Sequence, residues 1–165
     1  MLYKCVFLIL LGLYSAATFS EDDANVLFAA ATAGHLEKVD TLLAQGLDVN
    51  APTASGRTAL MGASFYGNLR VVKALLAYGA DVTLADKRGT TALMDALTFG
   101  HVAVAKVLIA SGADVNAADG AGVTVLEKAK ISGYKTLVEL VEKAAASAPE
   151  KAEEGQGNKE QKVAP

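Results

Sequence analysis

A repeat of 33 residues is the feature that most constrains how this chain can fold. Three separate landmarks share that spacing. The first is a glycine followed by His, Asn or Tyr, at Gly34, Gly67, Gly100 and Gly133. The second is a Thr-Ala-Leu or Thr-Val-Leu triplet beginning at Thr58, Thr91 and Thr124, and the third is a Gly-x-Asp-Val segment beginning at Gly46, Gly79 and Gly112. A unit of this length buries its apolar face only against its neighbours, so the spacing predicts a stack of similar units.

Each unit reads as a turn, a helix, a short turn and a second helix. In the second unit, Thr58 stands at a helix N-cap position, and Gly67 stands where a left-handed residue ends that helix. Alanines at matching positions allow adjacent units to stack closely: Ala30, Ala63, Ala96 and Ala129. The second helix carries an apolar stripe that we expect to face the core, at Leu69, Val72, Leu75 and Leu76.

The second unit contains the motif Gly56-x-Thr58-Ala59-Leu60-x-x-Ala63, followed by Gly67-Asn68, Val71-Val72, Leu75-Leu76 and Gly79-Ala80-Asp81-Val82. This pattern closely resembles an ankyrin repeat, and the resemblance covers roughly residues 23–143. It implies an all-α ankyrin-repeat solenoid of stacked helix-turn-helix units with turn or hairpin tips, in which two central repeats lie between N- and C-terminal capping repeats. The family's usual Thr-Pro-Leu-His reads Thr-Ala-Leu-Met in both central units, and proline at the first helical position is favourable but dispensable.

The two ends of the chain differ from the repeats. An apolar run from Cys5 to Leu13 is followed by small residues, which indicates a signal peptide over 1–20, cleaved after Ala17 or Ser20. An uncleaved membrane anchor is the alternative, although the run is shorter than the roughly 20 residues of a membrane span. We expect the ankyrin repeat domain over 21–143, with repeats at about 21–52, 53–85, 86–118 and 119–143, and a disordered polar tail over 144–165.

Charge and cysteine content exclude several classes of partner and site. Once Lys4 leaves with the signal peptide, 14 basic and 18 acidic residues remain, so no electrostatic attraction to nucleic acid or anionic lipid is expected. Cys5 is the only cysteine, so the mature chain forms no disulfide and no cysteine-ligated metal site. An exported domain without cysteine fits the bacterial periplasm.

The sequence contains little that indicates catalysis. His35 and His101 stand at the landmark glycine-histidine position, where a histidine usually holds neighbouring backbone, and they are two repeats apart. We find no glycine-rich phosphate loop, no Ser-His-Asp set and no His-x-x-x-His pair in the sequence. We therefore expect no enzymatic activity, no catalytic residue, no cofactor and no metal site.

The resemblance implies that partners dock on the concave side, which is formed by the turn tips and by the exposed edges of the first helices. Carried over to this chain, the candidate partner-binding residues are Ser55, Arg57, Phe65, Tyr66, Lys87, Arg88, Thr90, Asp95, Thr98 and Phe99. Aromatic residues and arginine are the commonest binding hot spots. Two alternatives stay open, namely that Phe65 or Phe99 packs against the next unit, and that the cations Arg57, Lys87 and Arg88 only solubilise the protein.

These features predict a non-enzymatic protein–protein interaction module, an exported adaptor or scaffold that binds one periplasmic protein in the concave groove. The basic residues beside the groove suggest that the partner carries an acidic patch. The alternative is an inhibitor or immunity protein that blocks a toxin or a hydrolase in the periplasm. We expect a monomer, with no small-molecule substrate, no nucleic acid and no stable membrane insertion after cleavage.

Overall fold

The computed structural model describes residues 21–147, which contain eight helices. They are α1 (Glu21–Thr32), α2 (Leu36–Ala44), α3 (Ala59–Phe65), α4 (Leu69–Ala77), α5 (Ala92–Thr98), α6 (Val102–Ala110), α7 (Val125–Ser132) and α8 (Lys135–Ser147). The expected signal peptide at 1–20 and positions 148–165 of the expected tail lie outside the described residues. Helix α8 continues past Lys143 into the first positions assigned to that tail, where Ala144 and Ala145 pack against the core.

The helices form two layers. Helices α1, α3, α5 and α7 contact one another in sequence, and helices α2, α4, α6 and α8 form the second layer behind them. Within residues 21–147 no β-strand forms, and the tips contribute only two isolated antiparallel bridges, Ala85 with Thr91 and Ala118 with Thr124. The predicted all-α solenoid of stacked helical pairs is confirmed.

A threonine begins the first helix of each of the last three repeats. The side chains of Thr58, Thr91 and Thr124 accept hydrogen bonds from backbone N–H groups three residues later, at 3.5, 3.3 and 3.2 Å. Thr124 also forms a capping box, because the Glu127 carboxylate accepts from the Thr124 N–H at 2.8 Å. Each cap satisfies a donor that the helix leaves unpaired and contributes about 1 kcal/mol.

The core lies between the two layers, and in α4 it includes Val71 in addition to residues of the expected stripe. In α4, the buried residues are Val71, Val72 and Leu75, whereas Leu69 and Leu76 are only partly buried. The expected stripe therefore faces the core, although Leu76 is less deeply buried than Leu75. Each residue turns the helix by about 100°. Leu75 therefore lies in the middle of the buried face, and Leu76 lies at its edge. The predicted stacking alanines are all buried, at Ala30, Ala63, Ala96 and Ala129.

The residues after Gly67 and Gly100 hydrogen-bond their repeats to the preceding ones. The Asn68 amide donates to the carbonyls of Ala31 and Thr32, both at 2.8 Å, and the His101 ring nitrogen Nε2 pairs with the carbonyl of Phe65 at 2.9 Å. These carbonyls belong to the last turn of a first helix, where no intrahelical donor is available. The expected backbone-holding role therefore applies to His101.

The turn tips are linked into a continuous ridge. The Asp86 carboxylate accepts from the backbone N–H groups of Arg88 and Thr90 at 2.9 and 3.0 Å. These hydrogen bonds fix the tip of the third repeat. Backbone hydrogen bonds then join neighbouring tips, from Lys87 N–H to the Ser55 carbonyl at 3.2 Å and from Gly120 N–H to the Arg88 carbonyl at 2.8 Å. Residues near the ridge thus keep fixed positions relative to the first helices. No helix within residues 21–147 is long and apolar enough to cross a membrane.

Candidate functional site

Three aromatic side chains form a cluster where the ends of α3 and α5 meet. The ring centroids of Phe65 and Phe99 are 4.0 Å apart, and those of Phe65 and Tyr66 are 5.0 Å apart. Tyr66 is 59% exposed and Phe99 is 46% exposed, whereas Phe65 is half-buried between them. Phe65 therefore packs against the next repeat and still leaves part of its side chain exposed.

Arg57 lies beneath this cluster rather than along an exposed edge of the groove. Its guanidinium bonds the Asp95 carboxylate at 2.6 Å and lies 3.5 Å from that of Asp86. The same group lies 5.9 Å from the ring centroid of Phe28 and 5.7 Å from that of Phe65, within the range of a cation–π contact. Only 15% of the Arg57 side chain is exposed. Arg57, in the second repeat, thus contacts residues of the first and third repeats and links the three repeats, rather than serving as a solubilising charge.

Asp95 is an acid buried in the third repeat. Burial raises the pKa of Asp95 from 3.8 to about 6, and the neighbouring Arg57 charge and hydrogen bond oppose this rise. Desolvation of the carboxylate therefore outweighs the attraction of its partner. The two residues are 38 positions apart and belong to different repeats, so sequence spacing did not reveal the pair.

Lys87 and Arg88 are the exposed cations of the third tip. Arg88 lies 3.8 Å from the Asp86 carboxylate, but 77% of its side chain is exposed. Ser55 is exposed on the second tip, and Thr90 is half-buried on the third. Thr98 is exposed at the end of α5, where its hydroxyl donates to the Met94 carbonyl at 2.8 Å.

Two neighbouring hollows bring these residues together, and we call them jointly the aromatic groove. The larger hollow, of about 690 Å³, is lined by Phe65, Lys87, Arg88, Thr90, Asp95, Thr98, Phe99, Asp119, Gly120, Ala121 and Lys128. The smaller hollow, of about 220 Å³, is lined by Phe28, Thr32, Arg57, Gly62, Phe65 and Tyr66. Nine of the ten predicted residues line the aromatic groove, and Ser55 alone does not.

A family model described as ankyrin repeats (3 copies) matches residues 2–86 and 27–119, which is more than half of the chain. This chain belongs to the ankyrin repeat family. Ankyrin repeats are protein–protein interaction modules, and ankyrin repeat proteins are typically non-enzymatic. No curated protein matches the chain.

The aromatic groove of this ankyrin repeat protein also contains residues that were not predicted. Phe28 stands 33 positions before Met61, so it occupies a repeat position at which the inner repeats have a buried methionine. The phenylalanine in place of methionine at this position is the sequence signal that was missed. Lys128 donates to the Asp119 carboxylate at 2.7 Å, and this hydrogen bond lowers the pKa of Asp119. Lys128 stands 33 positions after Asp95, so the charge at this position of the repeat reverses from the third repeat to the fourth.

Three titratable groups of the ankyrin scaffold, His101, Asp95 and Asp86, serve packing and turn formation. Within residues 21–147 no three His, Cys, Asp or Glu side chains are arranged to hold a metal ion. His101 bonds to backbone, Asp95 pairs with Arg57, and Asp86 holds its own tip. These contacts serve the scaffold, and the aromatic groove presents aromatic rings and the exposed cations Lys87 and Arg88.

Proposed function

We propose that this ankyrin repeat protein is an exported adaptor or scaffold that binds one periplasmic protein through the aromatic groove. The observation that carries the proposal is the aromatic cluster of exposed Tyr66 and Phe99 with half-buried Phe65, beside the cations Lys87 and Arg88. Aromatic and arginine side chains are enriched among binding hot spots, and aromatic rings bury a large contact area.

Rigidity of the surface supports this proposal. The linked tips and the contacts of Arg57 hold the groove in one arrangement, so little conformational freedom remains to be lost on binding. More of the contact energy then appears as affinity. A standard interface needs about 800 Å² on each partner, an area of the scale that several adjacent tips and first helices present.

Localisation is proposed from the N-terminal residues. The apolar run after Lys4 and the small residues before Glu21 have the pattern of a cleaved signal peptide. Intact-mass measurement of the protein recovered from the producing cell tests this proposal. A mass that matches cleavage after Ala17 or Ser20 supports export, and an uncut chain contradicts it.

Affinity capture from periplasmic extract tests the binding proposal. The bait is the mature chain, beside a variant carrying Tyr66→Ala, Phe99→Ala and Arg88→Ala. The matched control carries Tyr78→Ala and Lys73→Ala, which alter an exposed aromatic and an exposed cation of the second layer. One protein that is retained by the mature chain and the control but lost by the groove variant supports the proposal.

Equal recovery on all three baits contradicts a binding site in the aromatic groove. An assay of the captured protein then separates two roles for the ankyrin protein. Unchanged or increased activity of the partner supports an adaptor, and loss of that activity on binding supports an inhibitor.

A further inference from the structure

We infer that the aromatic groove recognises an acidic protein segment that carries one bulky apolar side chain. The apolar side chain enters the smaller hollow, and neighbouring carboxylates contact Lys87 and Arg88. The inference rests on the proposed function, because it specifies the chemistry of the partner at the same site.

The smaller hollow has the size and lining of a pocket for one side chain. Phe28, Phe65 and Tyr66 line it together with Gly62. A Cβ atom at Gly62 would approach the Phe28 ring to 2.8 Å and the Thr32 methyl to 2.7 Å, so the absence of a side chain at Gly62 lets Phe28 and Thr32 pack closely against α3. An apolar cavity of about 150 Å³ accommodates benzene. The hollow of about 220 Å³ therefore has room for a phenylalanine or leucine side chain.

The charge of Arg57 does not make this smaller hollow a site for an acid. Arg57 is already paired with Asp95 at 2.6 Å and lies 3.5 Å from Asp86. The remaining lining is mainly aromatic. An apolar group gains contact area there, whereas a carboxylate would lose its water and meet a cation that already has two acidic neighbours.

The exposed positive charge lies in the larger hollow. Lys87 is exposed and forms no ion pair within residues 21–147. Arg88 lies 3.8 Å from the Asp86 carboxylate, but 77% of its side chain is exposed, in contrast to the 15% exposed Arg57. By contrast, Lys128 of the same hollow is neutralised by Asp119 at 2.7 Å. Lys87 and Arg88 are therefore the cations available to a carboxylate from outside, and Arg88 can bind it with two parallel hydrogen bonds.

Phe65 connects the two halves of the site. Phe65 lines both hollows. An apolar group in the smaller hollow and a carboxylate in the larger hollow are therefore separated only by this residue. One extended segment advances about 3.3 Å per residue, so side chains a few positions apart reach both hollows. This shared residue makes the two recognition elements parts of one site.

Fluorescence anisotropy with three labelled peptides tests this inference on the mature chain. The first peptide has one phenylalanine flanked on both sides by aspartate and glutamate. In the second peptide alanine replaces the phenylalanine, and in the third asparagine and glutamine replace the acids. We expect the first peptide to bind at least about 10-fold more tightly than either control, as expected when a hot-spot contact is lost.

Variants locate the peptide on the protein. Phe65→Ala is expected to weaken the first peptide about 10-fold or more, and Lys87→Gln with Arg88→Gln is expected to remove its advantage over the neutral peptide. Tyr78→Ala and Lys73→Gln are the matched controls and should leave affinity unchanged. Amide NMR spectra check that each variant is folded, and they map the bound peptide to residues around Phe65.

Each other result overturns part or all of the inference. Equal binding of the neutral peptide overturns recognition by Lys87 and Arg88, and equal binding of the alanine peptide overturns the apolar pocket. Absence of binding overturns the inferred partner chemistry. In that case the capture experiment still decides the proposed function, because a partner lost on mutation of the groove supports a binding site there without this chemistry.

Discussion

Replacement of Asp95 by asparagine provides a quantitative test of the buried ion pair. Because the folded protein raises the pKa of Asp95 from 3.8 to about 6, it binds a proton more tightly than the unfolded chain does. The stabilising contribution of this raised pKa is complete below pH 3.8 and is lost as the pH rises through about 6. The folded wild type therefore loses stability relative to Asp95→Asn between pH 5 and pH 7.5.

The size of the effect follows from the two pKa values. The shift corresponds to about 3 kcal/mol in total at roughly 1.4 kcal/mol for each pKa unit, and about 1.4 kcal/mol of that lies between pH 5 and pH 7.5. Urea unfolding of both proteins at the two pH values gives the four free energies. The pKa values of Asp81, Asp119 and Glu127 are lowered, so the stability that they contribute is lost only in more acidic solution.

The control for this experiment is Asp119→Asn, which removes another ion-paired aspartate, one whose pKa is lowered. Its stability should run parallel to that of the wild type between pH 5 and pH 7.5. If Asp95→Asn also runs parallel to the wild type, burial does not govern Asp95. If the wild type gains stability over Asp95→Asn as the pH rises, the Arg57 charge outweighs desolvation and the reasoning is refuted.

Three further predictions concern the scaffold. Leu75→Ala should lower the free energy of unfolding by about 2–5 kcal/mol and Leu76→Ala by clearly less, because only Leu75 is fully buried. Equal losses for the two variants in urea denaturation would contradict this difference. Ser64→Ala should raise the free energy of unfolding by about 1 kcal/mol, because the buried Ser64 hydroxyl has no hydrogen-bond partner within residues 21–147. A loss of stability measured by calorimetry would mean that the Ser64 hydroxyl does have a hydrogen-bond partner. Gly67→Ala should lower the melting temperature by several degrees, since Gly67 has φ +71° and a Cβ there would lie 2.5 Å from His101. An unchanged melting temperature would refute the close approach of Gly67 to His101.

The fold was predictable because its determinants recur within each repeat. The N-cap at Thr58 and the glycine at Gly67 act through neighbouring backbone, so short sequence patterns identify them. The limit of the core within α4 was not predictable to one residue. Leu75 and Leu76 are the same residue type, and only the packing of α4 against the first layer distinguishes them.

The groove was only partly predictable. Counting from the landmark glycines identified Phe65, Tyr66 and Phe99, because the repeat fixes where its exposed edge falls. The contacts of Arg57 depend on the stacking of three repeats, and no spacing within one repeat encodes them. The same cause explains why the ring of Phe28 was missed.

Site-specific photo-crosslinking in the producing cell tests the central claim most directly. A benzoylphenylalanine replaces Phe99 in the groove or Tyr78 in the second layer, both of which are exposed aromatic positions. We predict one crosslinked protein from position 99 and none from position 78. A crosslinked protein from position 78, with none from position 99, would contradict a partner bound in the aromatic groove.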